Sequence, residues 1–146
     1  MQYYNYYMQC PFAQLYSYAY PADESVDLSR AQRDIQRVLP LIFQRTANEI
    51  NQAIALGMKP HLVSYLIREM VEYIDRNYKQ YSESASYNIT EASEGIKVEL
   101  YWILNIFRIY GVPFEVQIRL LNNTVITSMQ NLRVPANNVT TSTMRY

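Results

Sequence analysis

The sequence contains little cysteine, glycine or histidine and has no net charge. Its 146 residues include one cysteine, three glycines and one histidine, and thirteen basic residues balance thirteen acidic ones. A single cysteine, Cys10, excludes an intrachain disulfide framework and a zinc cluster that needs several thiolates. The few glycines disfavour glycine-rich phosphate loops and turn-dense β folds. Nucleic-acid-binding domains usually carry a basic excess, so we expect no nucleic-acid partner.

Long apolar runs are also missing. No stretch reaches the roughly 18–20 consecutive apolar residues that a membrane span needs, so no span is predicted. The first residues have neither a basic segment nor an aliphatic one, so we expect no secretory signal and synthesis in a cytoplasm.

The usual catalytic and cofactor motifs are absent from the sequence. It contains no phosphate-binding loop, no dinucleotide fingerprint, no Gly-x-Ser-x-Gly, no Cys-x-x-Cys and no Glu-x-x-His for a di-iron site. His61 follows Pro60 at a predicted helix start, which is typical of a surface or half-buried histidine. We therefore expect a protein that is not an enzyme and that binds no cofactor and no metal.

Tyrosine is the residue in excess, with fifteen copies. Residues 1–24 contain seven of them, no Lys or Arg, and two prolines that break helices, Pro11 and Pro21. We call this segment the Tyr-rich arm and expect it to make assembly contacts, because a tyrosine ring offers a large amphipathic contact area with few torsions to freeze. Its candidate contact residues are Tyr3, Tyr4, Tyr6, Tyr7, Tyr16, Tyr18 and Tyr20.

The sequence after the arm has helical periodicity. A first helix is predicted from near Leu28, with Asp27 as N-cap, to Leu56, with a kink or break at Pro40 because proline cannot donate a backbone hydrogen bond. Gly57 is expected at the C-terminal end, and Pro60 in the first turn of the next helix.

A second helix is predicted from Pro60 to about Tyr81. Its predicted apolar face comprises Leu62, Val63, Leu66, Ile67, Met70, Val71 and Ile74. Its predicted solvent face comprises Glu69, Glu72, Asp75, Arg76 and Lys79. Neighbouring charges of both signs on one helix are typical of a solvated face with ion pairs.

A third helix is predicted from a capping box at Asn88 to about Tyr110. Because its second half is apolar on most sides, we expect it to be central in the fold. Tyr101 and Trp102 lie in this half and are interpreted as core aromatics whose polar tips reach the edge.

Residues 113–133 fit two structures. The apolar spacing favours a helix, whereas the alternation and β-branched residues fit a β-hairpin. Gly57-Met-Lys-Pro and Gly111-Val-Pro look like the same helix-to-helix turn used twice, which favours the helix. The prediction is an all-α four-helix bundle of two helix–Gly-x-Pro–helix hairpins, with three helices and a hairpin at 113–133 as the alternative. The predicted divisions are the arm at 1–24, the bundle at 25–134 and a flexible tail at 135–146.

The arm also carries a resemblance. The stretches MQYYNYYMQCPF, residues 1–12, and YSYAYP, residues 16–21, resemble the Tyr-rich beginnings of small spore-coat proteins of endospore-forming bacteria. This resemblance implies a non-catalytic structural protein that is made in the mother-cell cytoplasm, is deposited on the spore surface, and assembles with itself or with other coat proteins.

Two other functions stay open. The chain could be a binding module for an apolar ligand or a partner helix, using the third helix around Trp102 and Phe107. It could also be an enzyme built on His61 or Cys10, for which the sequence offers no supporting motif.

Overall fold

The computed structural model describes residues 25–81 and 84–133. These residues form six α-helices and one short 3₁₀-helix, with no β-strand among them. The chain divides after Arg33 into two units, Met1–Arg33 and Asp34–Tyr146. Of the first unit, only the helical stretch 25–33 is described. The Tyr-rich arm and the predicted tail lie outside the described residues.

The helices are α1 Ser25–Arg45, α2 Ala47–Ala55, α3 Pro60–Arg76, α4 Ala85–Glu99, α5 Tyr101–Ile109 and α6 Phe114–Asn131, and the 3₁₀-helix is Tyr78–Gln80. The all-α prediction is therefore confirmed for the described residues, and the segment 113–133 contains the helix α6 rather than a hairpin. The described chain has six helices where four were predicted, because the first and third predicted helices are each divided in two.

The first predicted helix is interrupted at Thr46 and not at Pro40. Pro40 lies on the exposed side of α1, where water can serve the Gln36 carbonyl that has lost its donor. Thr46 is buried, and its hydroxyl donates to the Ile42 carbonyl at 2.7 Å, which the Thr46 N–H also reaches at 2.9 Å. Such back-bonding by threonine bends helices. Because α1 already begins at Ser25, Asp27 lies inside the helix and is not the N-cap that the sequence predicted.

The third predicted helix begins earlier and is divided at Leu100. Ser84 is the N-cap of α4, so Asn88 lies inside the helix and its amide donates to the Tyr81 carbonyl at 3.3 Å. Leu100, at φ −113° and ψ 31°, separates α4 from α5.

Two turns of the same kind connect α2 to α3 and α5 to α6. Gly57 and Gly111 have φ values of 106° and 84°. In each turn the glycine N–H donates to the carbonyl three residues before it. The next residue, Met58 or Val112, donates to the carbonyl five residues before its own position. This is the Schellman arrangement, and both following side chains are buried. The predicted repetition of the turn is thus present in the backbone.

The core of the second unit is built around α3 and α6. These two helices pack against each other, and each also packs against α2 and α4. The predicted apolar face of α3 is largely buried, including Val63, Leu66, Ile67, Met70, Val71 and Ile74. No helix in the described part of the chain is long and apolar enough to span a membrane.

Candidate functional sites

The predicted site residues fall into two groups. All seven arm tyrosines and Cys10 lie outside the described residues, so their roles stay predictions. His61 is the second residue of α3 and is half-buried, as expected for a histidine at a helix start. Within residues 25–81 and 84–133, no group of His, Cys, Asp and Glu side chains is arranged to hold a metal ion.

The third predicted helix is not central. Its second half, α5, packs against α4 and α6 and buries Ile103 and Phe107. Large apolar side chains on and beside it are exposed: Ile109 retains 80% of its accessible surface, Phe114 70%, and Val98 71%. Some of the apolar residues that predicted a central position for this helix therefore lie at the protein surface.

The ring of Trp102 is half-buried and faces Tyr65 of α3. The two ring centroids are 6.5 Å apart and the ring planes are inclined by 42°. The hydroxyl of Tyr65 is hydrogen-bonded to the Glu69 carboxylate one turn further along α3. Burial, this hydrogen bond and the charge of Glu69 all raise the pKa of Tyr65 well above its usual value.

The prediction that Glu72 and Asp75 lie on the solvent face of α3 is wrong, because both are buried. Glu72 retains 5% of its accessible surface and Asp75 2%. Burial, and after it the charge of Glu69, raises the pKa of Glu72 to about 8, although Arg68 and Arg76 act in the opposite direction. Among the described residues, neither arginine forms an ion pair with Glu72, so this carboxyl does not take part in the expected pairing along the face.

The second buried acid, Asp75, belongs to a network at the end of α6. Its carboxylate lies 3.5 Å from Nε of Arg133, and its carbonyl accepts a hydrogen bond from the same guanidinium at 3.1 Å. The Arg133 N–H donates to Asp34 at 3.2 Å, and Arg37 bridges Asp34 and the Asn131 carbonyl at 3.1 and 2.9 Å. The network ties the end of α6 to α1 and α3.

A close approach joins α3 to α4. The Tyr73 hydroxyl lies against Gly95, where a β-carbon would collide with it. Burial, and after it the nearby charge and hydrogen bond of Glu99, raises the pKa of Tyr73. Burial together with Tyr73, Glu91 and Glu99 raises the pKa of Tyr81 to about 12. Both phenols therefore stay protonated near neutral pH, which suits a structural contact.

Tyr65, Glu69 and Glu72 lie on α3, and Trp102 of α5 faces the first of them. The first three lie at i, i+4 and i+7 of α3 and so share one side of the helix. That spacing is visible in the sequence, but the charges of Glu69 and Glu72 favour a solvent face, and nothing in the local pattern indicates the burial of Glu72. The proximity of Trp102 to Tyr65, which lies 37 residues earlier in the chain, has no local signal in the sequence.

Comparison with known proteins adds no assignment: no family model, no curated protein and no solved structure matches the chain.

Proposed function

We propose that this chain is a non-catalytic structural or assembly protein, in which a helical body carries a Tyr-rich arm that makes contacts with other copies or with other coat proteins. The observation that carries the proposal is the arm: seven tyrosines and no Lys or Arg within residues 1–24. A segment of this composition is suited to aromatic contacts with protein surfaces, since single-strand binding would need accompanying cations.

The exposed apolar side chains of the body support the same function. Val98, Ile109 and Phe114 are large, apolar and mostly exposed, and Tyr101 between them is also exposed. Large apolar side chains that are left exposed are the kind of surface that other proteins cover. In the proposal it is a second surface through which the assembled protein contacts its neighbours.

The proposal also includes the arrangement of the helices as a four-helix bundle. In a four-helix bundle, α1 with α2 and α4 with α5 would each act as one bent rod, beside α3 and α6. Such a body would give the assembly a rigid unit. On the basis of the resemblance, we place the protein in the spore coat after synthesis in the cytoplasm.

The experiment is light scattering coupled to size-exclusion chromatography on three forms of the full chain. They are the unchanged chain, a variant with all seven arm tyrosines changed to Ser, and a matched variant with the same positions changed to Phe. We expect oligomers for the unchanged and Phe forms and a folded monomer for the Ser form, because Phe keeps the rings. A chain that begins at Asp23 should behave like the Ser form. Equal oligomeric states for all forms would refute the role of the arm.

The second candidate is a binding module for an apolar ligand or a partner helix. The half-buried Trp102 beside Tyr65 favours it, because the pair offers partly accessible aromatic surface on the body. A saturable change of tryptophan fluorescence with a neutral apolar probe would support this function, and no change with any such probe would count against it.

A further inference from the structure

We propose that the residues on either side of the turn between α5 and α6, namely Arg108, Ile109, Phe114 and Glu115, form a two-fold contact surface for a second copy of this chain. The inference rests on the proposed assembly function and deepens it, because it names the partner of one exposed part of the body. A weak contact of this kind gains strength when another element, here the Tyr-rich arm, holds the copies close together.

The first argument is that two large apolar side chains are left exposed beside a rigid turn. Ile109 retains 80% of its accessible surface and Phe114 70%. The turn between them is held by the Schellman hydrogen bonds of Gly111 and Val112, and the Val112 carbonyl accepts a buried hydrogen bond from the Gln117 side chain at 2.9 Å. Because the backbone that carries both apolar residues is already fixed, docking costs little ordering.

The second argument is the pair of opposite charges that flank the apolar residues. Arg108 and Glu115 are both exposed, and in the described part of the chain neither side chain forms an ion pair or a hydrogen bond. Arg108 stands three residues before Gly111, and Glu115 stands three residues after Val112. A surface with one charge of each sign, before and after the same turn, is electrostatically complementary to a second copy of itself.

A two-fold axis at the turn pairs these charges. In an isologous contact Arg108 of one copy lies opposite Glu115 of the other, and the same pairing occurs twice. Ile109 and Phe114 are also equally far from the centre of the turn, one on each side, so each lies opposite the other across the axis. The contact therefore has an apolar centre and charged groups at its rim, as protein interfaces do.

The third argument is the other Schellman turn, which differs at all four positions. Counted from the glycine of the turn, Ala55 takes the position of Ile109. Counted from the start of the following helix, Pro60 takes the position of Phe114. The positions of the two charges are taken by an isoleucine and a histidine. The backbone of the turn therefore requires neither the exposed apolar side chains nor the charges, which favours a role in contact.

The test separates this contact from the arm by using the full chain with all seven arm tyrosines changed to Ser. Its mass is followed by sedimentation equilibrium from about 10 µM to about 1 mM. Because the surface is small, we expect a Kd of about 0.1–1 mM, with monomers at chromatographic concentrations and dimers at the upper end. A chain that stays monomeric throughout, or whose mass keeps rising beyond the dimer, would overturn the proposal. Arm-dependent oligomers of the unchanged chain would remain after that result, so the two proposals fail separately.

Charge reversal in the same Ser form shows which residues meet. Arg108→Glu and Glu115→Arg each place like charges opposite each other, so each variant alone should dimerise at least about tenfold more weakly. An equimolar mixture of the two variants brings opposite charges together in a heterodimer and should recover the original affinity within about threefold. Lys59→Glu, which reverses an exposed charge at the other Schellman turn, is the matched control and should dimerise as before.

The mixture distinguishes a contact from a purely structural role of these charges, because mixing two chains does not restore the stability of either. Unchanged dimerisation in both single variants, or a mixture that dimerises no more tightly than its components, would overturn the proposal. Circular dichroism checks that each variant is folded. If either charge reversal does not fold, Arg108→Gln and Glu115→Gln replace the pair, and unchanged affinity in both has the same meaning.

Discussion

The hydroxyl of Tyr73 occupies the space that a β-carbon on Gly95 would need. Gly95 lies within α4, where glycine lowers helix stability by about 1 kcal/mol relative to alanine. The close packing of α3 on α4 thus depends on a residue that the helix alone would disfavour.

We therefore expect Gly95→Ala to destabilise the protein by about 1–2 kcal/mol, because overpacking outweighs the gain in helix propensity. Urea unfolding measures the effect. In a Tyr73→Phe background the closest contact is removed and ring carbons at 3.3 and 3.4 Å remain, so Gly95→Ala should destabilise the protein less there. Destabilisation of the same size in both backgrounds would contradict this packing account.

At Gly57 and Gly111 the backbone conformation, rather than the packing of a neighbouring side chain, favours glycine. Both have positive φ values, and a β-carbon at either position would meet no other atom within 4 Å. The cost of Gly57→Ala or Gly111→Ala is then a backbone cost of about 1–2 kcal/mol. Asparagine adopts this conformation more readily, so Gly57→Asn should cost less than Gly57→Ala in thermal unfolding. If the two variants at Gly57 unfold alike, the left-handed backbone does not set the cost.

The buried carboxyl of Glu72 predicts a pH dependence of stability. Its pKa is raised from the usual value of 4.5 to about 8 in the folded protein, so the folded state binds more protons than the unfolded state between these values. The free energy of unfolding should therefore fall as the pH rises from about 5 to about 8. The charged groups that act on Glu72 all lie on α3: Glu69, Arg68, Arg76 and Asp75.

Urea unfolding across this pH range checks the effect. Glu72→Gln removes the titrating group and should reduce the slope, while the exposed Glu94→Gln serves as the control and should keep it. A slope that Glu72→Gln leaves unchanged would assign the pH dependence to other groups.

The side chain of Arg133 stabilises the fold, whereas its left-handed backbone conformation is unfavourable for a residue other than glycine. Its guanidinium serves Asp75, which is almost fully buried, but its φ of 61° is left-handed. Arg133→Ala should destabilise the protein by about 2–3 kcal/mol, because Asp75 loses its cation and a hydrogen bond. Arg133→Gly should cost about 1 kcal/mol less, since glycine adopts this φ freely. Chemical denaturation of both variants measures the difference, and equal stabilities would exclude a backbone contribution.

Helix positions and much of the core could be predicted from the sequence, because apolar spacing along a helix is a local property. The buried face of α3 follows from it directly, whereas the spacing at 113–133 left a hairpin open and the repeated Gly–Pro turn was needed to favour the helix. The interruption at Thr46 was missed because proline is the stronger local signal for a helix break, whereas the back-bond of the buried Thr46 hydroxyl to Ile42 has no comparable signal.

The placement of charged and aromatic groups was less predictable. Glu72 and Asp75 were expected in solvent because of their chemistry, but α3 is covered on several sides by α2, α4 and α6. Conversely, α5 was expected at the centre because of its apolar residues. Which side of a helix is covered depends on the neighbouring helices, and these come from distant parts of the sequence.

The two Schellman turns have a consequence for how the chain folds. Each reversal is closed by hydrogen bonds between residues three and five positions apart, whereas the Asp34–Arg133 contact joins residues 99 positions apart. Local contacts can form before the entropy of closing a long loop has been overcome. The α2–α3 and α5–α6 hairpins should thus organise early on the folding pathway, and the network around Arg133 should form after the folding transition state.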